Sequence, residues 1–183
     1  GLPHAVIWAP DGTPDTLPNP QSDPVLSDAK GINASGSITG TIVDNIVGAQ
    51  AYRVVGATLT RLPSLPGGQS LGRAINAVGD VVGQSYDVVS ASYHAVFWPA
   101  GGGVFDLGPC PNGGGGSFAT AVNDKGLVVG ECQVGGANQA FWWTLASGMH
   151  LVPLAAGEVA SSATAVDNSG TIAGDVSGNT AEV

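Results

Sequence analysis

The apolar residues of the chain fall in short runs between polar residues, and Gly or Pro interrupts this pattern about every ten residues. Short β-favouring runs such as Leu127-Val128-Val129 lie beside residues that favour turns. No stretch has the spacing of roughly 3.6 residues between apolar positions that an amphipathic helix needs. The pattern therefore predicts an all-β protein made of short strands.

One segment recurs four times along the chain. Its copies begin at Ala29, Gly72, Ala119 and Ala163 and end at Gly40, Gly83, Gly130 and Gly174, so that the final glycines are 43, 47 and 44 residues apart. Each copy has an Asn or Asp three residues before a Gly, namely Asn33 and Gly36, Asn76 and Gly79, Asn123 and Gly126, and Asp167 and Gly170. An Asn or Asp side chain can bond to the backbone of a turn, and Gly accepts the positive φ that a type I turn with a following bulge requires. We predict that these eight residues are structural turn residues of four β-hairpins.

A second segment recurs between the copies of the first. It is a short apolar run that contains Trp in three of its four copies, and a Leu follows each copy. The shared alanines are Ala5, Ala51, Ala95 and Ala140, and the leucines are Leu17, Leu62, Leu107 and Leu151. We interpret the apolar run as the third strand of each unit and the stretch through the Leu as the fourth.

Four short strands in a period of ~45 residues are typical of a β-propeller blade. The sequence thus predicts a single repeat domain over residues 1–183, organised as a β-propeller-like array of four units with roughly four strands each. The units are 41–47 residues long and span approximately 5–50, 51–94, 95–139 and 140–183. The alternative is a β-solenoid, which would favour shorter coils of ~20 residues.

The two ends of the sequence fall at different points of the repeat. The sequence starts with a third strand and finishes with the first hairpin of a unit, so the two halves can complete one blade in a ring of four. However, Thr180-Ala181-Glu182-Val183 resembles the start of a further third strand, because Ala181 lies 41 residues after Ala140. Either the native protein continues past Val183 or this end pairs with another molecule through an unpaired strand edge. The start at Gly1 rather than Met is interpreted as that of a processed or excised mature region.

The composition argues against several classes of partner. Charged residues make up 10% of the chain, and 5 Lys and Arg against 14 Asp and Glu give a net charge of −9. Five scattered basic residues cannot displace the counterions of a phosphate backbone or hold an anionic membrane surface, so neither nucleic acid nor a membrane is expected as a partner. No apolar run approaches the ~20 residues that span a bilayer. Low charge, a single Met and abundant Gly favour an extracellular or cell-surface location.

The two cysteines, Cys110 and Cys132, are 22 residues apart. Two such residues do not make a zinc site, which needs four ligands in close pairs. They form either a disulfide or two buried free thiols, and the extracellular composition favours the disulfide. Such a bond would stabilise the fold by about 3 kcal/mol in the chain-entropy treatment.

The recurring segments resemble the HAF family of bacterial extracellular repeats, in which an A-x-x-I-N-x-x-G-x-V-V-G hairpin precedes a His-Ala-Phe-aromatic strand and a Leu-Gly stretch. The match includes Ala74-Ile75-Asn76 to Gly83 with His94-Ala95-Val96-Phe97-Trp98, and Ala121-Val122-Asn123 to Gly130 with Gln139-Ala140-Phe141-Trp142. The resemblance covers nearly the whole chain and implies an exported, β-propeller-like repeat protein with no catalytic residues. The copy at Ala51 departs from the pattern, with Arg53 and Val54 where aromatic residues are expected.

Several residues match patterns that carry chemistry in other proteins. Ser70, within Gly68-Gln69-Ser70-Leu71-Gly72, matches a nucleophile-elbow pattern, but that motif needs a strand-to-helix turn, and we interpret the serine as part of a loop. One repeat position alternates His with Gln, which indicates a recurring hydrogen-bond donor rather than a metal ligand. That position is occupied by His4, Gln50, His94 and Gln139, whereas His150 stands alone.

Metal, phosphate and glycan attachment were also considered. Asp11, Asp44, Asp124 and Asp167 lie in predicted turns without the D-x-D-x-D run of a calcium loop, so neither metal nor cofactor is expected. The Gly113–Gly116 run lacks the Lys of a phosphate-binding loop. Asn33-Ala34-Ser35 fits a glycosylation sequon, but its place in a tight turn favours turn chemistry.

These observations predict a non-enzymatic, exported structural or scaffold protein. Its unpaired terminal strands would join subunits into a fibre or a surface layer, so self-association is the expected partnership. The alternative is an extracellular propeller module that binds a carbohydrate or a cell-surface protein through exposed aromatic or Asn side chains. An enzyme is the least favoured class, because no acid–base or nucleophile set stands out in the sequence.

Overall fold

The computed structural model of the protein describes residues 3–17, 26–112 and 114–178. Over these ranges the chain forms sixteen β-strands and no helix, which confirms the predicted all-β class. Within the same residues there is accordingly no helix long and apolar enough to cross a membrane. Thr180, Ala181 and the predicted further third strand lie outside the described residues.

The strands form three four-stranded antiparallel sheets and two two-stranded sheets within the described ranges. The two-stranded sheets are β1 (Val6–Trp8) with β2 (Pro14–Thr16), and β15 (Glu158–Val166) with β16 (Ile172–Gly178). The first four-stranded sheet consists of β3 (Leu26–Ile32), β4 (Ile38–Asp44), β5 (Gly48–Val55) and β6 (Thr58–Arg61). The second consists of β7 (Ser70–Ile75), β8 (Val81–Asp87), β9 (Ser92–Trp98) and β10 (Phe105–Gly108). The third consists of β11 (Ser117–Val122), β12 (Val128–Val134), β13 (Ala137–Thr144) and β14 (Gly148–Leu151).

In each four-stranded sheet the strands lie in chain order, so that neighbours along the sequence are neighbours in the sheet. Short connections permit this order because antiparallel strands need only a tight turn between them. The two-stranded sheets at the ends correspond to the two halves of such a sheet. The pair β15 and β16 matches a first hairpin, and the pair β1 and β2 matches a third and a fourth strand.

The turn of each first hairpin is built by its Asn or Asp. At the first copy, the Asn33 carboxamide oxygen accepts hydrogen bonds from the backbone N–H groups of Ser35 and Ser37. The N–H of Gly36 donates to the Asn33 carbonyl at 2.9 Å, and Gly36 has a φ of +78°. The same backbone bonds recur at Asn76, Asn123 and Asp167. The short polar side chain therefore replaces the ladder bonds that the chain loses where it reverses.

A β-bulge interrupts the first strand of each of these hairpins. In the second sheet the register shifts between Gly72 and Ala74, directly opposite Gly83. A Cβ atom added at Gly83 would meet the carbonyl oxygen of Leu71 closer than real Cβ atoms approach. The equivalent glycines at 40, 130 and 174 face a backbone carbonyl in the same way. The repeated Gly is therefore required by close contact with the bulged strand rather than by a turn.

The Gly83→Ala variant is expected to lose about 3 kcal/mol of unfolding free energy, because the clash is with backbone that cannot move aside as a side chain can. Urea denaturation of the purified protein measures this loss. Gly101→Ala is the matched control, since a Cβ at Gly101 meets nothing within 4 Å. It should stay within about 0.5 kcal/mol of the wild type. Equal losses in the two variants would contradict the proposed role of the bulge.

The core lies between consecutive sheets. The cluster between the first and second four-stranded sheets contains Ala51, Leu62, Val81, Val96 and Trp98, all of which are buried. A larger cluster between the second and third sheets includes the half-cystines. Because each sheet presents one apolar face to the preceding sheet and one to the next, burial is continuous along the array. This stacking fixes how the ends of the array are exposed.

Candidate functional site

A repeated hydrogen bond joins each sheet to the next. The backbone N–H of the Ala in a third strand donates to the hydroxyl of a Ser in the first strand of the following sheet, at 2.8–3.0 Å. The four pairs are Ala5 with Ser27, Ala51 with Ser70, Ala95 with Ser117, and Ala140 with Ser161. These serines are 43, 47 and 44 residues apart, the same spacing as the final glycines. Sequence reasoning missed them, although that periodicity was a signal that could have found them.

A second set of hydrogen bonds links the hairpin turns across sheets. The Nδ2 groups of Asn33, Asn76 and Asn123 donate to the carbonyl oxygens of Asn76, Asn123 and Asp167 at 2.8–2.9 Å. Each Asn thus closes its own turn through Oδ1 and holds the next turn through Nδ2. Asp167 ends this series because an ionised carboxylate has no hydrogen to donate. The predicted turn residues therefore also set the spacing between sheets.

The copy that departs from the repeat pattern is packed as well as the others. Val54 takes the place of the aromatic residue and is buried, with 1% of its surface exposed. The Arg53 guanidinium reaches the second four-stranded sheet and donates to the carbonyl oxygens of Gly79 and Ala100 at 2.9 and 3.0 Å. The substitution therefore replaces an aromatic contact with hydrogen bonds between sheets.

Among the residues that the structure describes, the edge strand β1 pairs only with β2, whereas the equivalent strands β5, β9 and β13 have a strand on both sides. Trp8 occupies the position of Val54, Trp98 and Trp143 in the other copies. The exposed fraction is 68% for Trp8, whereas it is 1%, 0% and 6% for the other three. In the complete sheets a second strand of the same sheet lies beside this position. The exposure of Trp8 therefore comes from the lack of a second strand beside β1 among the described residues.

A groove of about 300 Å³ lies beside β1 at this place. Its walls are the strand residues Val6, Ile7 and Trp8 and part of the facing hairpin, including Ile32 and Ile38. Ile32 is itself 64% exposed. The groove thus combines an open strand edge with apolar side chains, and this combination favours the addition of a strand.

The strand β16, near the other end of the chain, also has an unpaired edge among the described residues. It pairs with β15 along one edge, and within the described residues its other edge has no strand partner. Almost all of its residues are exposed, whereas the equivalent strands β4, β8 and β12 are mostly buried. Val176, for example, is 61% exposed. Within residues 3–17, 26–112 and 114–178, the hairpin of β15 and β16 therefore has no third or fourth strand.

Over the part of the chain that the structure describes, the two half-sheets do not pair with each other. The ring of four that the sequence allowed is thus not closed by strand pairing among the described residues. We refer to the edges of β1 and β16 together as the terminal edges. They are the candidate functional site, because they combine unpaired backbone groups with exposed apolar side chains.

Other residues weighed from the sequence have structural partners. The interpretation of Ser70 as a loop residue is wrong, because Ser70 begins strand β7, is fully buried and accepts the Ala51 N–H; the strand leads into a hairpin and not a helix. Asn33 of the sequon holds the neighbouring turn through the Nδ2 to which a glycan would be attached. Cys110 and Cys132 are joined by a disulfide and are both buried. Gly113 lies outside the described residues.

The position that alternates His with Gln does not have one constant role. Gln139 donates to the carbonyl oxygen of Val152, as expected, but the Gln50 side chain accepts a hydrogen bond from Arg61. His94 contacts the carboxylate of Asp106. The expectation of a donor at every copy is therefore wrong at Gln50, because Arg61 offers only donors.

The remaining histidine, His150, packs against an aromatic ring. It stacks on Trp142 with ring centroids 4.3 Å apart, and its Nε2 lies 3.1 Å from the carbonyl oxygen of Ser147. Over residues 3–17, 26–112 and 114–178, no group of three or more His, Cys, Asp or Glu side chains is arranged to hold a metal ion.

Hydrogen bonds lower the pKa of several carboxylates in the turns. The Ser169 hydroxyl, followed by the Thr171 N–H, lowers the pKa of Asp167 below its usual range. The backbone N–H of Val47 lowers the pKa of Asp44 in the same way. Because the folded pKa is depressed, each carboxylate stabilises the fold above its unfolded pKa, and this stabilisation is lost as pH falls through the folded value.

Comparison with protein-family models gives no match to this chain. Comparison with curated proteins gives no match either.

Proposed function

We propose that this chain is an exported, non-enzymatic structural protein that self-associates through its terminal edges. In this proposal the sheets are β-propeller-like blades, and the two half-sheets of different copies complete one another. The observation that carries the proposal is the 68% exposure of Trp8 at a position that is buried in the three complete sheets. A strand edge that is apolar and unpaired is a template for another strand.

The complete sheets indicate the register of the completed joint. In these sheets the final Gly of the first hairpin pairs with the residue that follows the recurring Ala of the third strand, as Gly83 pairs with Val96. The residue two places before that Gly pairs with the aromatic position, as in Val81 with Trp98. By the same register Gly174 pairs with Val6, and Ile172 pairs with Trp8. Ile172 would then cover the exposed indole.

The joint is heterologous, because the edge of β16 differs from the edge of β1 that it meets. Each copy has one edge of each kind, so association leaves one β1 edge and one β16 edge free. Head-to-tail contacts of this type grow into rings or open filaments. A fibre or a surface layer therefore fits the arrangement better than a closed dimer does.

The proposed location outside the cell is supported by the disulfide and the composition of the chain, and not by the contact between copies. The Cys110–Cys132 disulfide persists in oxidising compartments. The low charged fraction of 10% and the resemblance of the repeats to the HAF family point the same way. In a fibre exposed to the environment, this covalent bond would also stabilise each subunit against unfolding.

Cysteine pairing tests the joint and its register. Chains carrying only Trp8→Cys are mixed with chains carrying only Ile172→Cys, and non-reducing electrophoresis is expected to show a cross-linked dimer. Directly opposed residues have Cβ atoms roughly 4.5–5.5 Å apart, within reach of a disulfide. The matched control replaces Ile172→Cys with Asp175→Cys, which lies three residues out of register and should give at least tenfold less dimer.

Two outcomes would overturn the proposal. The first is a compact monomer that forms no polymer by negative-stain microscopy or size-exclusion chromatography. The second is cross-linking only within a single chain that carries both cysteines, which would mean that the ring closes on itself. Cross-linking in the control pair with equal yield would disprove the register.

A further inference from the structure

A Ser, a His and an Asp meet at the outer end of the second four-stranded sheet. The Ser90 hydroxyl lies 2.9 Å from Nε2 of His94, and Nδ1 of His94 lies 3.0 Å from the Asp106 carboxylate. Ser90 is in the exposed turn between β8 and β9, whereas only 4% of His94 is exposed. The three side chains thus have the order of contacts found in nucleophilic triads, which are recognised by geometry and not by sequence order.

The partners fix the tautomer of the imidazole. An ionised carboxylate only accepts hydrogen bonds, so Nδ1 of His94 carries the hydrogen that Asp106 accepts. Nε2 of the neutral ring is then left with a lone pair that faces the Ser90 hydroxyl. The Gly108 N–H donates to Asp106 at 2.8 Å and holds the carboxylate in place. Asp106 is therefore a positioning residue, and His94 is placed to accept the proton of Ser90.

The residue after Ser90 adds two independent features. Ala91 has a φ of +52°, which L residues other than Asn and Asp seldom adopt, and such strain recurs at functional sites. Among the hydrogen bonds of the described residues, the Ala91 N–H donates to no protein group. A free N–H directly after a nucleophile is one of the donors that stabilise an oxyanion in hydrolases.

We propose that Ser90 is a reactive nucleophile that accepts acyl groups from small activated esters. The Ser90 oxygen attacks the ester carbonyl while His94 takes its proton, and the resulting oxyanion lies near the Ala91 N–H. The tetrahedral intermediate then expels the alcohol or phenol, which takes the proton back from His94, and leaves an ester on Ser90.

The surroundings indicate which esters fit. Val88 and Val89, in the same turn, are 57% and 87% exposed. They offer an apolar surface to an aryl leaving group or a short acyl chain, and no cation lies in the turn to hold a charged substrate. Neutral aryl esters of short acids are therefore the substrate class. This inference does not depend on self-association, because the turn is remote in sequence from both terminal edges.

The test uses p-nitrophenyl acetate and a fluorophosphonate probe on the intact protein, with mass spectrometry to locate the adduct. We expect the adduct at Ser90 and not at Ser169. Both are exposed turn serines bonded to a nearby carboxylate, but only Ser90 also contacts an imidazole. Ser90→Ala should remove the adduct. Ser92→Ala, which removes the hydroxyl 3.0 Å from Ser90, should keep it.

His94→Gln is the most informative variant, because Gln occupies this position at Gln50 and Gln139 and the variant should fold. It is expected to slow labelling of Ser90 by about 100-fold or more, the contribution of a general base. Asp106→Asn should also slow labelling and change the tautomer of His94 seen by ¹⁵N NMR. Equal labelling of Ser90 and Ser169, or a His94→Gln variant that reacts at the wild-type rate, would overturn the proposal.

Discussion

Trp98→Ala is expected to lower the free energy of unfolding by about 3–5 kcal/mol. Trp98 is fully buried between the first and second four-stranded sheets, in the cluster that includes Val81 and Leu62. Its indole N–H also donates to the carbonyl oxygen of Pro63. Truncation leaves a cavity between two sheets and an acceptor without its donor, and both effects act in the same direction. Urea denaturation followed by fluorescence measures the loss.

Trp8→Ala is the matched control, because the two tryptophans occupy the same position of the repeat. Trp8 is 68% exposed, so its removal should change the stability of the isolated chain by no more than about 0.5 kcal/mol. The same variant should weaken self-association, since Trp8 is the residue that Ile172 of another copy would cover. A large loss of monomer stability in Trp8→Ala would mean that the residue is buried in the free chain, contrary to the structure.

Removal of the disulfide is expected to cost about 3 kcal/mol. Cys110 and Cys132 are 22 residues apart, and a bond that closes a loop of this size restricts the unfolded chain by roughly that amount. The double variant Cys110→Ala/Cys132→Ala removes the bond without leaving a free thiol. For a chain of this length, the midpoint of thermal unfolding should fall by about 6–12 °C.

The disulfide prediction can be separated from the loss of packing. Both sulfurs lie in the core between the second and third sheets, so truncation also removes buried atoms. Reduction of the wild-type protein by dithiothreitol opens the loop and keeps those atoms, and it should account for most of the effect. An unfolding midpoint that does not change on reduction would contradict the entropic role of the bond.

Local sequence patterns were enough to predict the strands and their turns. Asn76 and Gly79 carry the turn chemistry within four residues of each other, so no distant contact is needed to recognise it. The all-β class followed from short apolar runs separated by Gly and Pro, for the same local reason. The spacing of the repeated segments also predicted units of four strands, and the described residues form three four-stranded and two two-stranded sheets.

Contacts across the bulge and between sheets could not be predicted from the local sequence pattern. Gly83 is required by the carbonyl of Leu71, which approaches it only because the paired strand bulges at that point. Ser70 matched a catalytic pattern by its neighbours in the sequence, yet its hydroxyl accepts a hydrogen bond from Ala51 in the preceding sheet. In both cases the deciding partner comes from another strand.

Contacts with other strands also explain the surface features that the sequence did not predict. His94 was interpreted from its repeat position alone, and its contacts with Ser90 and Asp106 depend on how β9 pairs with its two neighbours. The exposure of Trp8 likewise follows from the absence of a strand beside it, although its sequence context matches that of the buried Trp98. Turns are set by atoms a few residues apart, and the sequence alone determined them. The exposure of a side chain and its contacts with distant side chains depend on which strands meet, and this is visible only once the chain has folded.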